Sequence, residues 1–98
     1  MIKHVIIWSF KKDVRDKEGR KREIKERLED LVGKIRGLKE MKVVIDPLPS
    51  SNGDLMLDST FENEAALATY QKHFLHLEIV NTLVCPAVEV RLCMDYEI

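Results

Sequence analysis

Apolar and polar positions alternate from the start of the chain. From Ile2 to Phe10, the residues Ile2, His4, Ile6, Trp8 and Phe10 fall on one face of an extended segment, with Val5 and Ile7 on the other. Both faces are largely apolar, so this strand is expected to be covered on both sides. The period then changes. Between Arg20 and Arg36, the residues Ile24, Leu28, Leu31, Val32 and Ile35 follow helical spacing, and Lys25, Glu26, Glu29, Asp30 and Lys34 lie opposite. Gly37 stands where a left-handed residue would close that helix. Lys39 to Asp46, rich in β-branched side chains, predicts a second strand, and Pro47 to Gly53 a loop. Leu55 to Phe61 predicts a third strand, with Leu55, Leu57 and Phe61 on one face and Met56, Asp58 and Thr60 on the other. Asn63 is placed to cap a helix that runs from Glu64 through Tyr70, bends near His73 and continues to about Val84, where Pro86 closes it. Ala87 to Tyr96 alternates most cleanly: Val88, Val90, Leu92, Met94 and Tyr96 against Glu89, Arg91, Cys93 and Asp95.

The order β-α-β-β-α-β over residues 1–98, with no internal linker, predicts a single α+β domain of the ferredoxin-like sandwich type. Right-handed crossovers put both helices on the same side of the sheet. Two helices shield one face only. Yet Val5, Ile7, Val44 and Met56 point to the other face, which would leave a large apolar patch in water. Covering it contributes about 25 cal/mol per Å², several kcal/mol for a few hundred Å². The simplest cover is a second copy of the chain about a two-fold axis, which predicts a homodimer through the sheet faces. Asp58, Glu89, Arg91 and Asp95 are expected on that same face, so the contact is expected to be mixed, with an ion pair such as Glu89 to Arg91 across the two-fold.

Composition narrows the partners. The 98 residues carry 16 basic and 17 acidic side chains, a net charge of −1, so no overall field attracts nucleic acid or an acidic membrane. Lys11, Lys12, Arg15, Lys17, Arg20, Lys21 and Arg22 are interrupted by acidic residues and read as a solvated loop and helix face. No run approaches the ~20 apolar residues of a membrane span. No charged leader with an apolar core opens the chain, and no signal peptide is expected. Cys85 and Cys93 have no metal-type spacing and are expected as reduced thiols in a cytoplasm. Phosphate-cradling glycine loops and Ser–His–Asp spacing are absent, and no cofactor is expected.

Five segments together carry a resemblance: Lys3-His4-Val5-Ile6-Ile7, Lys34-Ile35-Arg36-Gly37, Phe61-Glu62-Asn63, Tyr70-Gln71-Lys72-His73-Phe74-Leu75-His76, and Asp95-Tyr96. In that order and spacing the chain resembles the stress-responsive dimeric α/β-barrel family along essentially its whole length. The resemblance implies a homodimer whose two sheets face each other as a barrel, with a cavity between sheet and helices in each subunit. The family includes plant stress proteins, a plant polyketide cyclase and many bacterial members. In the cyclase, the tyrosine and histidine matching Tyr70 and His76 work as acid–base groups on a poly-β-keto chain, and the histidine matching His4 lies nearby. Two positions depart from that pattern. Leu55 stands where the cyclase has a third-strand histidine, and Phe74 replaces the usual proline between the helical histidines.

Candidate chemistry therefore centres on Tyr70 and His76 as catalytic residues, with His4, Trp8, Leu55 and His73 lining a pocket for a small aromatic or ketide-like molecule. Tyr70, His73 and His76 follow three-residue spacing, which puts neighbours on one side of a helix. Neutral imidazole accepts a proton from a carbon acid or hydroxyl, and a phenol steadies or returns it. His73 and His76 with Asp58 or Asp95 fall short of the ligand set and supporting shell that zinc wants, so no metal is expected. Two rival readings are a non-catalytic stress-response or structural protein and a relative of the heme- or flavin-handling monooxygenases.

Overall fold

The computed structural model describes all residues, 1–98. Its elements are β1 (Ile2–Phe10), α1 (Lys17–Glu29), β2 (Leu38–Val44), β3 (Leu55–Phe61), α2 (Glu64–Lys72), α3 (Phe74–Ile79), a single π-helical turn (Val80–Val84) and β4 (Val88–Glu97). The four strands form one antiparallel sheet in the order β2-β3-β1-β4. This is the ferredoxin-like α+β arrangement expected from the strand and helix order.

One face of the sheet carries the core. Ile2, Ile6, Trp8 and Phe10 of β1, with Leu55, Leu57 and Phe61 of β3, are buried against Ile24, Leu28, Leu31, Leu67 and Ile79 of the helical side. Asn63 caps α2, its side chain accepting a 2.8 Å hydrogen bond from the Ala66 amide.

The first helix differs from its expected span. It starts earlier, because the Asp16 carboxylate accepts from the Gly19 amide at 3.1 Å and so caps the first turn. It ends at Glu29 rather than Arg36: the Leu31 and Val32 amides turn to carbonyls three residues back, and Gly33 at φ +90° then takes the chain out of helical backbone. Leu31 and Ile35 still reach the core, whereas Val32 is left 42% exposed. Gly37, at φ +87°, is left-handed as expected but closes those turns rather than the helix. Two basic side chains of α1 also turn inward. Arg20 donates to the Leu83 carbonyl at 2.8 Å, and Lys21 to the Ile45 carbonyl at 3.3 Å.

The last strand corrects the expected faces. Its register sets His4 opposite Asp95, Ile6 opposite Cys93 and Trp8 opposite Arg91. Directly paired residues share a face. Arg91, Cys93 and Asp95 thus lie on the helix side of the sheet, not on the far face, and a Glu89–Arg91 contact between two far faces has no basis. The register shifts between Ser9 and Phe10, and Glu89 sits at that irregularity. Val90, Leu92, Met94 and Tyr96 take the far face with Val5 and Ile7. They are the most exposed large apolar side chains of the sheet, from 45% at Val90 to 68% at Met94. Asp58 does lie on the far face, paired with Lys3 at 2.8 Å.

Candidate functional site

The break between α2 and α3 builds the site. His73 is extended, at φ −69° and ψ 136°, and its ring Nδ1 accepts the Leu75 amide at 3.1 Å, so the chain turns sharply and starts α3. That turn folds His76 back over Tyr70, with ring centroids 4.2 Å apart. Tyr70 is held from behind by Phe61 at 4.9 Å. A cavity of about 320 Å³ opens between these rings and the sheet. Trp8, Ile6 and Leu57 form its floor, Val80 and Val84 of the π turn one wall, and the exposed Gln71, Glu89 and Arg91 its mouth.

Three polar atoms around this cavity are buried without a protein partner: Trp8 Nε1, the Tyr70 hydroxyl and His76 Nδ1. Native interiors leave few such groups, and each costs about 1–3 kcal/mol relative to a paired one. The surroundings also set protonation. Burial pushes the Tyr70 phenol well above its ordinary value, against a smaller opposing pull from Arg91. Burial lowers His76 to about 4, opposed by the Gln71 backbone and assisted by His4, Arg91 and His73. The imidazole is therefore neutral at pH 7 and the phenol keeps its proton.

His4 joins the cavity to a second cluster. It is 2% exposed, packs edge-on to Tyr70 at 6.4 Å, and its backbone carbonyl accepts a 2.8 Å hydrogen bond from the Ser59 hydroxyl. Its Nδ1 lies 2.5 Å from Asp95 Oδ1, and Cys93 Sγ is 3.7 Å from the same nitrogen. Burial, then the Asp95 carboxylate, raises the Cys93 thiol above its ordinary value.

Of the residues expected to form a pocket, His4, Trp8, Tyr70 and His76 meet at one cavity. Leu55 and His73 do not line it. Leu55 is a 3% exposed core residue paired with Trp8 in the sheet, and His73 caps α3 while stacking on Phe74 at 5.0 Å. The two helical histidines do not assemble with Asp58 either, since that carboxylate is on the far face. In its place His4, Cys93 and Asp95 bring three donor atoms within 4.8 Å of one another. Sequence spacing does not signal Arg91, Glu89 and Gln71 at the mouth. The first two emerge only from the β1–β4 register, and Gln71 has no pattern of its own beside Tyr70.

No curated protein matches the chain significantly. Solved structures do. A dimeric protein of unknown function and ferredoxin-like fold from Bacteroides fragilis is 26% identical, with a TM-score of 0.89 over 99% of this chain and 95% of its own. An Arabidopsis thaliana protein is 27% identical, with a TM-score of 0.79 over 99% and 94%. The hydroxynitrile lyase of Passiflora edulis, 20% identical with a TM-score of 0.80 over 99% and 92%, shares the fold. The stress responsive A/B barrel domain model matches residues 2–98. The chain belongs to the stress responsive A/B barrel domain family.

Proposed function

We propose that residues 1–98 act as one domain, paired sheet to sheet with a second copy, whose cavity binds a small aromatic or ketide-like molecule. One observation carries the binding reading: Trp8 Nε1, the Tyr70 hydroxyl and His76 Nδ1 are all unpaired around the same cavity. A ligand bearing carbonyl and hydroxyl groups would satisfy them, while its planar apolar body would lie against Trp8, Ile6 and Leu57. At about 320 Å³ the space suits a small molecule.

The chemistry at this end of the cavity needs no cofactor. His76 is the base and Tyr70 the hydrogen-bond donor. A histidine with its pKa lowered to about 4 is a weak base, so it serves protons that are already acidic, such as those between two carbonyls. Tyr70 keeps its proton and steadies the enolate oxygen as charge develops there. An aldol-type cyclisation or an isomerisation fits these roles.

The pairing of two copies is supported by the exposed Leu92 and Met94 on β4 and by the dimeric description of the Bacteroides fragilis relative. No helix is long and apolar enough to cross a membrane, and the free thiols of Cys85 and Cys93 suit a reducing cytoplasm.

A thermal-shift screen of small phenolics and β-keto thioesters tests the reading. A stabilising compound whose effect vanishes in folded His76→Ala supports it. No stabilisation across the screen, or the same shift in wild type and variant, removes it.

A further inference from the structure

The edge of the sheet beside the cavity gathers three donors of three kinds. Cys93 and Asp95 are two residues apart on β4 and so share a face, and His4 is directly opposite Asp95 on β1. Their donor atoms are close in every pairing: 2.5 Å from His4 Nδ1 to Asp95 Oδ1, 3.7 Å from Nδ1 to Cys93 Sγ, and 3.6 Å from Sγ to Oδ1. We propose that His4, Cys93 and Asp95 form a binding site for a zinc-like divalent cation, with the fourth coordination position left to water or a ligand. It stands apart from the acid–base reading of Tyr70 and His76 and does not depend on it.

Geometry supports the assignment. In a tetrahedral zinc site, bond lengths of about 2.0–2.3 Å put sulfur about 3.6 Å from the nitrogen and oxygen donors, and those two about 3.3 Å apart. Both sulfur edges of the triangle already have that length. The nitrogen–oxygen edge is shorter because the two groups share a hydrogen bond, and it must open by about 0.8 Å to admit a cation. Asp95, with 42% of its side chain exposed, is free to swing that far. His4 cannot move and need not. It is 2% exposed, seated between Phe61 and Tyr70, so one ligand is pre-positioned.

The donor set selects among metals. A thiolate disfavours calcium and magnesium, and one nitrogen, one sulfur and one oxygen suit zinc or cobalt. Three protein ligands with an open fourth position are the pattern of a reactive rather than a purely structural site. Protons balance on loading. The Cys93 thiol releases its proton to solvent, and the proton shared between His4 Nδ1 and Asp95 passes to the other ring nitrogen or to solvent, which frees the Nδ1 lone pair for the cation. Access is direct, because Cys93 and Asp95 are both exposed and Asp95 lines a groove with Leu67, Ala68 and Gln71 of α2.

Cobalt titration of the full chain, kept reduced with a non-chelating phosphine, provides the test. One cobalt per chain is expected, with a thiolate-to-cobalt absorption in the near ultraviolet, tetrahedral bands in the visible, and displacement by zinc. Cys93→Ser should abolish the near-ultraviolet band, and Asp95→Asn should weaken binding at least about tenfold, while Cys85→Ser leaves both unchanged. All three substituted positions are exposed, so the variants are expected to fold, and circular dichroism checks that they do. Absence of saturable binding in the folded wild type overturns the proposal. So does a thiolate band that survives Cys93→Ser or is lost in Cys85→Ser.

Discussion

The rings of Tyr70 and His76 lie 4.2 Å apart at a tilt of 39°, and neither the phenol oxygen nor the imidazole Nδ1 has a protein partner. Two polar groups buried together and left unpaired weaken the fold unless something else binds them.

Replacing Tyr70 by Phe keeps the ring and removes only the unpaired hydroxyl. The free protein is expected to be as stable as wild type or more so, by up to about 1 kcal/mol in urea denaturation. Ligand-induced stabilisation should be lost at the same time. A clear drop in free-protein stability, with ligand response intact, would show that the hydroxyl serves the fold.

His76 makes stability depend on pH in a defined window. The unfolded chain takes up this proton near the ordinary 6.5, the folded chain only near about 4. Between those values the unfolded state holds the extra proton, so stability falls as pH drops from 6.5 toward 4, and this group adds no slope above 6.5. Glu29 acts lower. Burial pushes its carboxyl up, but Lys25 and the Val43 amide outweigh that and hold it below 4.5, so its contribution is present above 4.5 and fades as pH falls further. Urea midpoints measured across this range should lose the slope above 4.5 in His76→Gln and retain it in Glu29→Gln.

Glu29 also ties the first helix to the edge of the sheet. One oxygen accepts from Lys25 Nζ at 2.7 Å and from the Val43 amide at 2.9 Å. Glu29→Ala should cost about 1–3 kcal/mol in chemical denaturation, since it leaves the Val43 amide without its acceptor and strips the carboxylate from Lys25, whose Nζ keeps only the Val43 carbonyl at 2.7 Å. An unchanged midpoint would mean that water replaces the carboxylate without loss.

Leu92 is 64% exposed on the far face of the sheet. Leu92→Glu is expected to convert a dimer to monomers in analytical ultracentrifugation. A two-fold contact would bring the new carboxylates together and bury them unpaired. Wild-type protein that sediments as a monomer at every concentration would count against sheet-to-sheet pairing.

Much of the fold is legible from spacing alone. Alternation locates β1, β3 and β4, helical spacing locates the first helix, and Asn63 marks the start of the second. Phase is what escapes. In β4 both residue sets alternate equally well, and nothing local says which one faces inward. Apolar Leu92 and Met94 turn away from the helices, and Arg91, Cys93 and Asp95 turn toward them, because the helical layer stops short of this edge strand and leaves polar side chains in contact with water. Only pairing with β1 reveals it, and with it the juxtaposition of His4 and Asp95. Gly33 escapes for a different reason. Leu31 and Ile35 keep a helical rhythm across it, so the pattern outlasts the backbone that would normally produce it. Tyr70 and His76 are legible as candidates, but what brings their rings together is the break in the helix between them, not helical spacing. The separate duty of His73, in between, depends on an extended backbone that spacing does not encode.

The π turn at Val80–Val84 closes with the Cys85 amide on the Val80 carbonyl at 2.8 Å, one residue wider than an α-helical turn. That extra residue acts as slack between the helical layer and the last strand. Shortening the chain there by one would let the turn tighten and rotate its C-terminal end by about 100°, carrying Val84 and Cys85 around the rim while the strand ladders stay in register. Chain length at this point, rather than any single side chain, would then tune the size of the opening, and variants differing by one residue here would admit guests of different bulk on the same scaffold.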